Sequence, residues 1–312
     1  PGVTIDGISE FLSDPGSFQY KIPGQQFLSP GSHFYPPDPT ETTAQLGGTV
    51  ATNASGARSF RFGATRCSIY ALSVITSNTE TFTLTRGNTA DPRKGIEIIT
   101  DQGSKIVIPP FSYQSPQTKN AAGYYSRAPM DPIDLFIGSE GTLGIFSSIT
   151  IKLEKAFGII AGCTFFKSLE NAFLFADFLR RENGVISIEF FDESALKFID
   201  GYRNRMAEPI PDFPDSCAHA ILWEFAESEP GSFQDKFESW ESFLNSCDSS
   251  FDNTWSGMEP AEIERLKRFR HTLPESINST VSSFKNNCPS IRKIGTDTAL
   301  PAHCFTSVYQ EY

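Results

Sequence analysis

Between Phe34 and Gly63 the chain reads FYPPDPTETTAQLGGTVATNASGARSFRFG, a stretch unusually dense in small and hydroxylated residues. A proline pair and Asp38-Pro39 lead into hydroxyls at Thr40, Thr42 and Thr43, then a double glycine, Gly47-Gly48. The run Ala51-Thr52-Asn53-Ala54-Ser55-Gly56 follows. Such a combination suits a backbone pressed against a flat, phosphate-bearing cofactor. Glycine lets the main chain approach a pyrophosphate, while N–H groups and hydroxyls supply donors for its charge. Alanine and serine keep side chains clear of an aromatic ring system. The alternative is a Gly/Ser/Thr-rich surface loop.

Downstream, Gly138 to Ile145 reads GSEGTLGI, and Lys119 to Tyr124 reads KNAAGY. Together with Pro36-Pro37-Asp38-Pro39-Thr40 and Phe62-Gly63, these stretches resemble, in order and spacing, the flavin motifs of the FAD-linked oxidase family. Its best-known branch is the D-2-hydroxyacid dehydrogenases. The resemblance implies an α+β protein: a PCMH-type FAD-binding domain followed by a ferredoxin-like cap with an antiparallel sheet. It implies non-covalent FAD, with Asp38, Pro39, Thr40, Thr42, Thr43, Gly47 and Gly48 along the pyrophosphate and ribityl side. Ala51, Thr52, Asn53, Ser55 and Gly56 would lie along the isoalloxazine. Glu140, Gly141, Thr142, Leu143, Gly144 and Ile145 would touch the adenosine half. A carboxylate beside a diphosphate is unfavourable, so Glu140 is expected to hold its loop or a ribose hydroxyl. Lys119-Asn120 reads equally as a functional pair or a solvated turn. Where many relatives carry Arg-Asp, this chain has Arg66-Cys67.

A 2-hydroxy acid needs its carboxylate gripped by a rigid bidentate cation, the task arginine suits. Phe269-Arg270-His271-Thr272-Leu273-Pro274-Glu275 resembles the family phrase that carries such an arginine, which points to Arg270. The alternative is a surface arginine in a basic run with Arg265, Lys267 and Arg268. Near Asp297 and Pro301, Gly295 stands where some relatives have a lysine; Lys293 would share that strand face and substitute. The implied reaction is hydride transfer from the substrate's α-carbon to flavin, with electrons passing to an unidentified acceptor. An alkyldihydroxyacetone-phosphate synthase is the alternative enzyme, and an inert partial domain the non-enzymatic one. The four histidines show no metal-ligand spacing, so no metal site and no catalytic base are assigned. Relative to the family, the chain covers the middle. The resemblance implies a glycine-rich loop ahead and a metal motif beyond, hence part of a larger protein that holds FAD weakly by itself.

The chain has 312 residues, 39% of them hydrophobic with 28 phenylalanines, enough for two cores. A net charge of −11 argues against nucleic acid as partner. No apolar run approaches a membrane span, and nothing reads as a signal peptide. Six cysteines without a CxxC pair read as reduced thiols in the cytoplasm.

The elements that must position these residues follow from periodicity. A short helix with Ile8, Phe11 and Leu12 opens the chain. Strands are expected at 68–76 and 79–86, a hairpin at 96–108, and a strand from Ile145 to Leu153. The boundary falls near Glu154 to Phe157, giving domains 1–155 and 156–312. Beyond it, strands at 158–166, 185–191, 218–225 and 291–300 alternate with helices from Ser168, Glu193, Ser232 and Pro260. An antiparallel sheet with helices on one face is the expected result.

Overall fold

Thr4 accepts a hydrogen bond from the Gly7 amide at 3.0 Å and starts α1 (Ile5–Ser13), whose Ile5, Ile8 and Leu12 form a buried stripe. The computed structural model describes residues 2–14, 28–119, 122–203, 210–227 and 232–311. They divide into two units, Pro1–Ala156 with Ala299–Phe305, and Phe157–Thr298 with Thr306–Tyr312. Helices and antiparallel sheets are mixed throughout.

In the first unit, β1 (His33–Phe34) precedes two short helices, α2 (Leu46–Thr52) and α3 (Ser59–Phe62). Next come β2 (Ile69–Ile75) and β3 (Thr81–Thr85), then the hairpin of β4 (Ile96–Ile99) and β5 (Lys105–Ile108). The single turn α4 (Ile133–Phe136) leads into β6 (Ile145–Ile151) and β7 (Glu154–Lys155). β2 is the centre of a three-stranded sheet between β3 and β6, and β1 pairs with β7. Ile69, Leu72 and Val74 of β2 are fully buried, packed with Phe82 and Phe136; Leu72 and Val74 alternate, and an irregularity in the pairing with β6 between Ile69 and Ala71 brings Ile69 into the same core.

The second unit runs β8 (Gly158–Phe166), α5 (Leu169–Arg181), β9 (Val185–Phe191), α6 (Glu193–Tyr202), β10 (His219–Glu227) and α7 (Gln234–Ser246). It continues with β11 (Thr254–Gly257) and α8 (Pro260–Lys285), and α9 (Phe305–Glu311) ends the described chain. The four strands pair antiparallel in the order β11-β8-β10-β9. Ser168 caps α5 by accepting from the Asn171 amide at 3.2 Å. A reciprocal Glu259–Glu262 box with Pro260 in the first turn starts α8, which continues past the internal Pro274.

Two expectations are corrected here. Helices cover both faces of the sheet, not one. On β10, Ile221, Trp223 and Phe225 pack with α5 and α7, while Ala220 and Leu222 pack with α6 and α8. Strands apolar on both parities must be buried twice, and the near-continuous runs of β8 and β10 are such strands. Residues 291–300 form no strand: they carry no regular structure, and Ile294 is 90% exposed. A strand exists only where a neighbour completes its ladder, and none pairs with this segment among the described residues.

Trp240 lies fully buried on α7 amid Trp223, Phe225, Phe233, Phe175 and Phe178, with ring centroids 5.1 to 6.2 Å away. Its indole N–H has no partner among the described residues. Trp240→Ala should therefore cost about 3–5 kcal/mol of stability. Trp240→Phe should cost much less, because no hydrogen bond is lost with the ring. Urea unfolding followed by circular dichroism measures both; equal losses would show that the packing is not the source.

Candidate functional site

The turn after α2 carries the first half of the site. Asn53 ends that helix in the left-handed region (φ 49°), and its Oδ1 accepts from the Arg66 amide at 2.9 Å. The Gly138 and Glu140 amides donate back to the Val50 and Ala51 carbonyls at 3.0 and 2.9 Å, so the two motif stretches are stitched by main chain. Between them opens a cavity of about 330 Å³ lined by Thr52, Asn53, Arg66, Gly138, Ser139 and Glu140. Ala122, Gly123, Tyr124 and Thr142 complete its wall.

Arg66 organises the floor of this cavity. Its guanidinium donates to the carbonyls of Asp134 and Ile137, pairs with the Asp134 carboxylate at 3.2 Å and lies 4.3 Å from the Tyr125 ring centre. Arg86 joins the same carboxylate at 2.7 Å and donates to the Arg66 carbonyl at 2.8 Å. Burial lowers the Arg66 pKa from the ordinary arginine value, and the Asp134 charge opposes that shift. Opposite, the Tyr124 and Thr142 hydroxyls share a 2.8 Å hydrogen bond, and Thr142 donates to the Ser139 carbonyl at 2.6 Å. Among the described residues, the Ser139 hydroxyl is buried without a partner. Tyr124 also borders a second, apolar cavity of about 370 Å³, whose walls include Phe82, Ile108, Phe136 and Leu143.

The structure thus brings Thr52, Asn53, Glu140 and Thr142 together and distributes the other cofactor candidates around them. Leu143 lines the apolar cavity, Gly144 packs against Val74 and Ile75, and Ile145, 72% exposed, opens β6. A Cβ on Gly56 would stand 1.6 Å from the Asp38 carbonyl oxygen, so this glycine serves a backbone crossing. Pro39 and Thr40 continue that irregular crossing segment, whereas the Thr42 carbonyl accepts from the Asp6 amide at 3.0 Å and Thr43 bonds Glu41. Gly47 and Gly48 lie in the first turn of α2, with open space beside Gly48. Gly141 (φ 80°) faces open space too. Ala51 lies within α2 and Ser55 in the turn beyond it. Asn120 lies outside the described residues. Sequence reasoning assigned no role to Asp134 or Arg66, and carried Ser139 and Tyr124 only as members of the GSEGTLGI and KNAAGY stretches. The legible signal for Asp134 was a lone carboxylate in the apolar run Pro132–Ile137.

A cavity of this size is at the small end of ligand sites, which span about 300–1,000 Å³. Its main-chain turns, the Ser139 hydroxyl and the open backbone at Gly123 fit one end of a dinucleotide such as FAD.

The substrate candidates lie in the second unit. Arg270 is on α8, its Nε 2.6 Å from Oε2 of Glu189 on β9. Lys293 Nζ donates to Asn278 Oδ1 at 3.1 Å from the irregular segment after α8, not from a strand face. His271 is partly buried beside Arg270, and the His219 ring lies 5.9 Å from Phe190. Among the described residues no group of three or more His, Cys, Asp or Glu could hold a metal ion.

No protein-family model matches the chain. It is 33% identical over 122 residues to a D-lactate dehydrogenase of Anaerostipes hadrus, covering 39% of this chain and 18% of that protein. It is 27% identical over 297 residues to a D-2-hydroxyglutarate dehydrogenase of Stutzerimonas stutzeri (strain A1501), covering 92% of this chain and 50% of that protein. A solved alkyldihydroxyacetonephosphate synthase superposes with a TM-score of 0.55 at 14% identity, over 90% of this chain and 47% of that one, a likeness of fold alone. The homologues agree with the resemblance to FAD-linked oxidases carried by the two motifs. The chain spans half or less of the length of these relatives.

Two substitutions test the frame. Asp134→Asn removes the carboxylate shared by two largely buried arginines and should cost about 3–5 kcal/mol. Gly56→Ala forces the crossing backbones apart and should cost about 1–3 kcal/mol. Chemical unfolding of each variant reads these losses; wild-type stability in either would show that its contact does not hold the site.

Proposed function

We propose that this chain is the flavin-binding and substrate-gripping part of an FAD-dependent 2-hydroxyacid dehydrogenase acting on an acid such as D-lactate, glycolate or D-2-hydroxyglutarate. The observation that supports it best is the convergence of Thr52 and Asn53 with Glu140 and Thr142 on one polar cavity. The names of its homologues agree. In this reading the first unit is the latter part of a PCMH-type domain and holds FAD non-covalently. The second unit is the cap; its strand order, with β8 beside β11 and β10, is that of ferredoxin-like sheets. The six cysteines are free thiols, which supports a reducing compartment such as the cytoplasm.

Bound flavin supplies a hydride acceptor for the α-carbon of the acid. The chain's own contribution is position and charge. Ser139, the Asn53 turn and the open glycines receive the cofactor, and Arg66 keeps those turns in register. Arg270 holds the substrate carboxylate with its planar fork, and Lys293 lies on the same unit as a second cation. The electron acceptor and the proton-accepting base are unassigned. The synthase alternative draws only on the likeness of fold, and no observation favours it.

The test is anaerobic mixing of the FAD-loaded, full-length protein with a panel of D-2-hydroxy acids. Bleaching of the flavin band by at least one acid is expected. Arg270→Ala should lower kcat/KM by about 30-fold or more, without changing the oxidised flavin spectrum. Arg265→Ala, on the exposed flank of α8, should have little effect. A flavin that no hydroxy acid reduces would overturn the activity; equal small effects of both substitutions would remove Arg270 from the site.

A further inference from the structure

Arg270 follows Phe269, a fully buried ring packed 5.0 Å from Phe191 between centroids. One residue is about 100° around a helix, so Arg270 leaves α8 from the flank of its buried face. There it meets Glu189, and the two side chains keep 11% and 28% of their exposure. β9 is the outermost strand of its sheet, which puts the pair at a rim and not in the middle of the core. Glu189 faces the same side as Ser187, which donates to Glu224 Oε2 at 3.2 Å, so this side of β9 carries a polar strip through an otherwise apolar layer.

An arginine has a long side chain and a rigid planar head. A carboxylate ion-paired at Nε, 2.6 Å away, draws that head to one place by charge. We propose that Glu189 is a positioning residue: it orients the Arg270 guanidinium to receive the carboxylate of a 2-hydroxy acid. This rests on the reading of Arg270 as the substrate arginine. Glu189 acts through Arg270 and touches neither substrate nor flavin. Its expected signature is weaker binding of any small carboxylate, with little change in the chemical step once the site is saturated.

The experiment uses the full-length protein with FAD and measures the Kd of oxalate, a non-reacting dicarboxylate, by flavin absorbance. KM, kcat and melting temperature are recorded alongside. Glu189→Gln preserves shape and should raise the oxalate Kd and the KM about 10-fold, with kcat within about twofold. Arg270→Ala should raise both further, and adding Glu189→Gln to it should change nothing more, because the two act as one unit. Glu189→Asp, which restores charge at shorter reach, should recover part of the affinity. If Arg270→Ala weakens oxalate and Glu189→Gln does not, the positioning role is overturned while the substrate arginine stands. If neither changes oxalate binding and both only lower the melting temperature, the pair is a packing contact and both readings fall. Additive effects in the double variant would also overturn the proposal.

Discussion

The buried Asp134 carboxylate, shared by Arg66 and Arg86, is the constraint on which the first unit turns. A buried carboxylate needs charge and donors around it, and an arginine so placed needs acceptors for its several N–H groups. Arg66 finds them in main-chain carbonyls at both ends of α4 and in Asp134 itself. Its own amide is fixed by Asn53. One side chain therefore ties the end of the first motif to the start of the second, although 68 residues separate Arg66 from Asp134 in sequence. The polar cavity is the space left above that knot.

Glycine is used here in two distinct ways. At Gly56 and Gly144 there is no room for a methyl group, because another stretch of backbone or a core side chain already occupies it. At Gly48, Gly123 and Gly141 the same bare Cα faces open space. Composition alone treats all five alike. Of the second set Gly123 lines the polar cavity, while the first set permits close packing of the chain.

In the second unit the organising fact is a sheet buried on both faces. Thr164 accepts from the Trp223 indole at 3.0 Å on one side of β8, and Cys163 is sealed among apolar neighbours on the other. Burial pushes the Cys163 thiol pKa up, which keeps it protonated and inert. Gly162 accommodates the Trp223 ring, which a Cβ would approach to 2.3 Å. Four helices fixed on such a layer hold Arg270 and Glu189 in register from opposite elements.

Much of this was legible in the chain itself. Alternation in Thr81–Thr85, the caps at Thr4 and Ser168 and the apolar stripe of α5 are local, and local sterics and hydrogen bonding decide them. The two motif stretches also stood out in the sequence, through their resemblance in order and spacing to the flavin motifs of FAD-linked oxidases. What only the tertiary structure decided is everything that depends on a distant partner. Residues 291–300 were expected as a strand but join no sheet among the described residues. The double covering of the sheet needed α6 and α8 to arrive on the second face. The meeting of Arg66 with Asp134, and of Arg270 with Glu189, is invisible in sequence, because a charge states its need for a partner but not where along the chain that partner lies.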